Sequence, residues 1–513
     1  MDTFLEKIKN YYNLDEEGFS KLIAKPSFAN IPLINDHPSV IKAKERIEKA
    51  IKDNEKVIIY GDYDCDGIMS TSIIYYFLLK LNKHASFFIP SRFKDGYGLN
   101  LDNAKKIAKA GYSLLICVDN GVNCFEAISY LKDNGIDTLI IDHHEIGESL
   151  PEAFSIIHDD LLDYGEYNVS AGYLSFLFSI CLLGKVDPYL LVLGAISIIS
   201  DTMPMKSYNR EIVALALSLI NKNKYPTIFN LTNATYIDEK VLGMEIVPSI
   251  NAVGRIDTGY DANKLVHYFA TDCKDLKQSS LLALEYNKNR KEMTKSALAE
   301  IDIDKNKSSV CISTSLGEGL NGLLASRIVV EENKPVAIFS SSYKEKDILA
   351  GSLRSKPGLN LIDFFSSLGE LPIRKGGHSF AAGVAIKKED YEIFKEKLEE
   401  YASSHPFTEP KKEEISICLN DISMENYKIL RKFAPFGHDY EEPTFVIENV
   451  PTSTLKFNRL GYLTFKISPN SEVFSFSIKD DVLNKSNLDM EGKFRLNEFR
   501  GSFKIQFACN EKK

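Results

Sequence analysis

The chain has 513 residues, of which 44% are hydrophobic and 26% charged, and its formal net charge is −9. That length accommodates two or three domains with cores of their own. The mild acidity argues against non-specific polyanion binding over the whole surface, though not against a local basic groove.

The N-terminal segment "MDTFLEKIKNYYN" has no basic stretch leading into an apolar one, so no secretory signal is read there. Residues 1 to about 55 read as helical, with "SVIKAKERIEKAIKDN" amphipathic after Pro38. Next, short apolar runs alternate with helices: "KVIIY" before "MSTSIIYYFLLKLN", "SLLICVD" before "CFEAISYLKDNG", and then "DTLIID". This alternation predicts βαβ units and a mostly parallel sheet. "YLSFLFSICLLG" and "YLLVLGAISIIS" follow, split by "KVDP". Each is about 12 residues, short of the roughly 20 that cross a bilayer, so buried core helices and no membrane span are expected.

The first domain, with the N-terminal helices, is drawn over 1–260, and a long connecting helix over 261–305. A second α/β domain is drawn over 306–404 and a third region over 405–513. In that last region "YLTFKIS", "EVFSFSI", "KFRLNEF" and "SFKIQFA" alternate apolar and polar residues, which predicts a small antiparallel sheet or barrel. Eight cysteines, at 65, 117, 124, 181, 273, 311, 418 and 509, form no C-x-x-C pair. Neither a zinc knuckle nor a disulfide framework is indicated, and a reducing cytoplasm is the expected setting.

The chemistry concentrates where the apolar strands end. Asp62, Asp64 and Asp66 follow the first, Asp119 the second, and Asp142 the third, with His143 and His144 next; Asp201 closes the second apolar helix. In an open parallel sheet the carboxyl ends of strands share the ligand-binding edge. So many carboxylates together need a strong counter-charge, for which a divalent cation is suited. Oxygen and imidazole donors without thiolate favour manganese or magnesium, and the number of acids suggests two ions. A lone aspartate after a strand is commonly a helix N-cap. "DYDCDG" also has a calcium-loop look, but Ile73 stands at the twelfth position, where such a loop needs glutamate. Neither alternative explains the paired histidines.

"GDYDCDG", "VDNGV", "DHH" and "SDTMP" resemble, in order, the four signature motifs of the DHH phosphoesterase superfamily. "SRFKDGYGLN", "VPSINAVGR", "LNGLLASRI", "GSLRS", "GGHSFAAG" and "FAPFGHDYEEPTF" extend the resemblance to its branch of single-strand-specific 5′→3′ DNA exonucleases. The implied fold is α/β. A parallel-sheet DHH domain and a smaller DHH-associated domain are joined by a long helix, and a C-terminal OB-like β-barrel follows.

The resemblance also implies roles. Asp64, Asp66, Asp119, His143 and Asp201 would be metal ligands, with Asp119 between two ions. His144 would touch the scissile phosphate or a ligand, and Asp62 and Asp142 would orient the ligands. Tyr60 stands where some members carry a further histidine ligand, and is not counted as one. Arg92, Arg255, Ser352, Arg354, Gly377 and His378 fall in motifs expected to hold substrate phosphate, including the 5′-terminal one. Two departures stand out: Ser249 replaces the arginine of the usual P-R-x-N-A, and "LGEG" (316–319) replaces W-H-x-G.

Residues 451–513 carry 11 Lys and Arg against 7 Asp and Glu. Phe457, Tyr462, Phe465, Phe494, Phe499 and Phe503 are candidate stacking platforms for single-strand bases, whereas Phe474 and Phe476, at strand spacing, read as core. The expected function is a metal-dependent exonuclease in DNA repair and recombination. It would act as a cytoplasmic monomer on single-stranded DNA, with a helicase and a single-strand-binding protein as candidate partners. The alternative is a phosphodiesterase for short oligonucleotides or cyclic dinucleotides. A catalytically silent scaffold fits poorly, because all four acidic motifs are complete.

Overall fold

Five short strands form the first sheet in the computed structural model, which describes residues 3–162, 168–257, 259–408, 413–499 and 502–512. They are β1 (Val57–Tyr60), β2 (Ser86–Phe88), β3 (Leu114–Val118), β4 (Asp137–Asp142) and β5 (Ser155–His158). Their order is β2-β1-β3-β4-β5, and every pairing is parallel. A parallel sheet needs cover on both faces, so its strands read as unbroken apolar runs. Ile58, Tyr60, Leu115, Cys117 and Ile140 face the helices Leu101–Lys109 and Phe125–Asp133. The helices Cys65–Lys80 and Ala171–Leu183 also pack on β3, and Ala171–Leu183 on β4 as well. The two apolar tracts are thus core helices, and among the described residues no helix is long and apolar enough to cross a membrane. The edge strands β2 and β5 escape a sequence reading because three or four residues are too few to show periodicity.

The second sheet comprises β6 (Val310–Ser313), β7 (Val336–Ser341), β8 (Ile348–Arg354), β9 (Arg374–His378) and β10 (Ala381–Lys387), in the order β6-β7-β8-β10-β9. β6 and β7 pair in parallel; the remaining pairings are antiparallel. Leu324, Ala325 and Ile328 of the helix Glu318–Glu332 cover one face, and Phe364 and Phe394 lie in the core on the other.

The single connecting helix expected over 261–305 is corrected to two, Ala262–Phe269 and Leu276–Glu300. Thr271 adopts φ 59° and the Asp275 carboxylate caps Gln278, which stops one helix and starts the next. Both sheets and these helices lie in one contact unit, Ile31–Met203 with Ser207–Pro410.

The other unit joins Met1–Asn30, Pro204–Lys206 and Lys411–Lys513. Its sheet contains β11 (Glu414–Ser416), β12 (Thr444–Pro451), β13 (Leu463–Ser468), β14 (Ser471–Ser475), β15 (Asn487–Phe499) and β16 (Ser502–Glu511), ordered β11-β12-β15-β16-β14-β13. The pairings are not all antiparallel as expected: β11 with β12, and β14 with β16, run in parallel. Ile415 at one end of this order and Leu463 and Phe465 at the other share one core, so the sheet curls around it. Phe4, Ile8 and Phe19 enter the same core, with Phe4 stacked on Phe445 at 5.6 Å. The first thirty residues therefore belong with this sheet rather than with the 1–260 domain drawn from sequence. A short amphipathic helix shows that it covers a core, not which core.

Candidate active site

The carboxyl ends of β1, β3 and β4 bring the acidic motifs together. Asp64 caps the helix Cys65–Lys80, accepting the Gly67 N–H at 3.1 Å, and this aims the loop 62–66 across the sheet edge. Asp119 follows β3 with φ 58°, a left-handed backbone that costs a side-chain-bearing residue about 1–3 kcal/mol. Its N–H is tied to Ile141 O at 2.9 Å. The neighbouring Asn120 amide donates to Val118 O and Tyr60 O, linking the ends of β3 and β1.

His143 Nε2 lies 3.4 Å from Asp119 Oδ1, 3.2 Å from Asp201 Oδ2 and 3.6 Å from Asp66 Oδ2. Three overlapping triads have potential ligand atoms within 4.8 Å of one another. They are Asp62, Asp64 and Asp119; Asp119, His143 and His144; and Asp66, His143 and Asp201. Asp119 and His143 each serve two triads. Asp62 Oδ1, Asp119 Oδ1 and His143 Nε2 are buried without a hydrogen-bond partner among the described residues. Orphaned buried polar atoms of this kind need a ligand.

The electrostatics point the same way. Burial, and then Asp66, Asp64, Asp62 and Asp201, push the Asp119 carboxyl far above its usual range. Burial and then Asp64 do the same to Asp62, and burial followed by Asp66 lifts Asp201 to about 6. With no cation these groups repel one another; divalent cations among them remove the conflict. The donor set of carboxylates and imidazole fits such ions.

Asp142 differs. Its Oδ1 accepts the His143 N–H at 2.8 Å and lies 2.8 Å from His144 Nδ1, and its Oδ2 accepts the Val122 N–H. Burial opposes its charge, but the His144 ring and these N–H groups hold it down to about 2. His144, disfavoured by burial but paired with Asp142, rises to about 9. Asp142 thus orients His144. Tyr60 turns away from the acids: its hydroxyl donates to Gly98 O and accepts from Asn103.

Several participants carry no recognisable sequence signal. Asp66 accepts the N–H groups of Ala171 and Gly172 at 3.0 and 2.8 Å, at the start of the helix Ala171–Leu183, and the Ser197 hydroxyl. A Cβ at Gly172 would lie 2.5 Å from Ser197 Oγ. His158, at the end of β5, donates from Nε2 to His144 O at 2.9 Å. These contacts depend on helices and a strand far along the chain from the acidic motifs they support, so only folding reveals them.

Beside the acids lies a cluster of guanidiniums. Arg255 is pushed down to about 10 by burial and then by Arg92, with Arg290 and Arg354 acting in the same sense and Asp64 opposing. Arg46, Arg327 and Arg374 pair with carboxylates, but none of these four does among the described residues. Arg92 lies over the Tyr63 ring at 4.4 Å, and its Nε is buried without a partner. Arg290 is a residue that sequence reasoning missed. Asn287 Oδ1 accepts from its Nε and Nη2 at 3.1 and 2.7 Å, and Asn287 in turn donates to Ser249 Oγ at 2.9 Å. The available signal is an Asn and an Arg three apart on one helix face.

Ser352 and Arg354 share a face of β8, and register extends that face across the sheet. Arg354 stands level with Ala381 and His378, and Ser352 with Gly383 and Gly376. Directly paired residues point to the same side, so Arg354 and His378 flank a floor of two glycines. A Cβ at Gly376 would meet nothing within 4 Å. Gly377 lies on the other face, where φ 132° and a Cβ 2.5 Å from Ala382 Cα make glycine a packing requirement.

In the C-terminal sheet, Phe465 and Phe494 are core, whereas Phe503 is exposed; the side chain of Phe499 falls outside the described residues. Phe476, expected in the core, is 65% exposed. It meets Phe474 at 4.5 Å and Tyr462 at 5.0 Å, with Lys479 over the Tyr462 ring.

Three family models match in order: the DHH family N-terminal domain over 56–174, the DHHA1 domain over 309–404 and the RecJ OB domain over 414–511. A relative from Bacillus subtilis, named single-stranded-DNA-specific exonuclease RecJ, is 29% identical over 92% of this chain, which spans 63% of that relative's length. A relative of the same name from Salmonella typhimurium is 29% identical, with 91% of this chain and 89% of the relative covered. The crystal structure of RecJ with Mn2+ from Thermus thermophilus superposes with a TM-score of 0.82 at 22% identity, covering 98% of this chain and 75% of that one. A second structure, exonuclease RecJ bound to manganese, gives a TM-score of 0.63 at 24% identity over 74% of this chain and 97% of that one. The domain order, the fold and the convergent acidic motifs agree: the chain belongs to the RecJ family of the DHH superfamily.

Proposed function

We propose that the chain is a metal-dependent exodeoxyribonuclease that degrades single-stranded DNA from its 5′ end, in DNA repair and recombination. The observation that carries this reading is the convergence of Asp62, Asp64, Asp66, Asp119, His143 and Asp201 with orphaned buried atoms facing one another. These residues, with His144, would hold two divalent cations, Mn2+ or Mg2+. Bound there, the cations would offset the buried acids, polarise the scissile phosphate and provide a nucleophile near neutral pH.

The protein's own groups do the positioning. Asp142 holds the His144 ring by Nδ1, leaving Nε2 as the donor for a phosphate oxygen. Arg92, Arg255 and Arg354, with Arg290, Ser352 and His378 near them, would receive the 5′-terminal phosphate. Guanidiniums without carboxylate partners suit a doubly charged phosphate monoester, and capture of that end sets the direction of digestion. The match to the RecJ OB domain and the exposed Tyr462–Phe476 cluster support single-strand binding by the C-terminal unit. Eight free cysteines accord with a reducing cytoplasm. There the chain would act as a monomer on strands exposed by a helicase and covered by a single-strand-binding protein.

The test is a divalent-ion titration with 5′-labelled single- and double-stranded 20-mers and a dinucleotide. Mn2+- or Mg2+-dependent release of mononucleotides from the single strand's 5′ end is the expected result. Preference for the dinucleotide, indifferent to joint loss of residues 1–30 and 413–513, would instead favour a short-oligonucleotide phosphodiesterase.

A further inference from the structure

Next to the arginine cluster is a cavity of about 280 Å³, between the first and second sheets' portions of one contact unit. Phe93, Ile256, Met293, Leu320 and Tyr343 give it apolar walls, and Arg255 forms part of its lining. Glu318 and Asp257 line it too. Tyr343 lies 5.7 Å from Phe93 between ring centroids. Ser341 and Tyr343, at the hairpin between β7 and β8, form part of its wall, and the neighbouring Lys344 Nζ donates to Asp95 O at 2.9 Å.

A local departure in sequence lies at the cavity wall, where Gly317 is part of the lining. In the segment "LGEG", Leu316 and Gly317 stand where the resemblance has Trp and His. A Cβ at Gly317 would meet nothing within 4 Å, so the space that a larger side chain would take is open.

What could occupy it is limited by size and charge. At 280 Å³ it falls just below the roughly 300–1,000 Å³ of small-molecule sites, which is ample for a planar ring system. Two carboxylates on the wall repel a phosphate, which belongs outside on the guanidiniums. They would instead accept from ring amino and imino groups, as acidic side chains do from base edges. Burial lifts the Glu318 carboxyl, while the Tyr343 N–H and then Arg92 oppose that. Arg255 is common to the cavity and to the arginine cluster, so phosphate and ring would belong to one nucleotide.

We propose that this cavity receives the base of the strand's 5′-terminal nucleotide, with its 5′ phosphate held on the adjoining arginines. The proposal rests on the nuclease reading above. Base occupancy makes the first cleavage depend on the terminal base as well as on its phosphate.

The test uses the full chain with Mn2+ and two 5′-phosphorylated 20-mers, one ending in guanine and one in a tetrahydrofuran abasic residue. Release of the first residue is followed in single turnover and at steady state. The wild type should lose about tenfold in kcat/KM on the abasic end, through KM, in line with one stacked base. Gly317→Trp, which puts a bulky side chain at the cavity wall, should lower the guanine-ended strand to that level while leaving the abasic strand unchanged. Met293→Trp, at an exposed wall position, should converge the two in the same way if Gly317→Trp does not fold. Equal rates for both strands in the wild type, or an equal loss on both in the variants, would overturn the proposal. If no strand is cut under any metal condition, the nuclease reading fails. The cavity is then judged by equilibrium binding of the same two strands, where equal affinity would overturn it.

Discussion

Asp119 shows how function and stability compete at a single position. Its left-handed backbone at φ 58° and its crowding with other acids are both unfavourable without a cation. Asp119→Gly should therefore raise stability in EDTA by about 1 kcal/mol while removing hydrolysis, measured by urea unfolding beside a nuclease assay. The acids also fix a pH dependence. Carboxyls such as Asp201, raised to about 6 from 3.8, bind protons in the folded state that the unfolded chain has released. Without metal, the contribution of these raised carboxyls to stability is fully present below about pH 4 and is lost as pH rises through about 6. Bound cations displace those protons, so the rise in Tm caused by Mn2+ should grow from pH 4 to pH 7. A metal-induced shift that is flat across this range would contradict the account. Asp142, depressed to about 2, acts in the opposite sense: it stabilises above pH 4, and that contribution is lost as pH falls towards 2.

At the scale of elements, much of the site was legible because each acidic motif ends a fully buried apolar run, and such runs in alternation with helices form parallel sheets. Asp62, Asp64, Asp66, Asp119 and His143 could be placed on one edge from that rule alone. Gly172, Ser197 and His158 could not, since they reach the site only when the helices Ala171–Leu183 and Pro188–Ser200 and strand β5 pack against it. Arg290 was hidden for a similar reason: a half-buried arginine on a charged helix looks like any solvated one until Asn287 and Ser249 are seen to brace it. The C-terminal aromatics were misjudged where strand alternation breaks. Phe476 lies just past the end of β14, so strand spacing no longer dictates its face. Its exposure beside Tyr462, Phe474 and Lys479 makes it a candidate stacking platform. Phe476→Ala should weaken binding of a single-stranded 20-mer by about tenfold, the order of one lost base stack. Dinucleotide hydrolysis should stay unchanged. Equal affinity in an anisotropy titration would remove that role.

At the scale of the whole molecule, the chain divides by contact rather than by order, because its first thirty residues complete the core of the C-terminal sheet. Deleting residues 413–513 alone would leave Phe4, Ile8 and Phe19 without the core they fill. That protein should bind a hydrophobic dye and aggregate, while removal of 1–30 as well should restore a monodisperse species, as read by size-exclusion chromatography. Identical behaviour of the two truncations would show that the N-terminal helices stand alone. The central claim concerns the acids at the sheet edge, and counting bound Mn2+ by electron paramagnetic resonance tests it most directly. The wild type should hold two ions per chain. Asp119→Ala, which removes a residue shared by two triads, should hold at most one and lose at least about a thousandfold in turnover. Two ions bound and full turnover in Asp119→Ala would contradict the account.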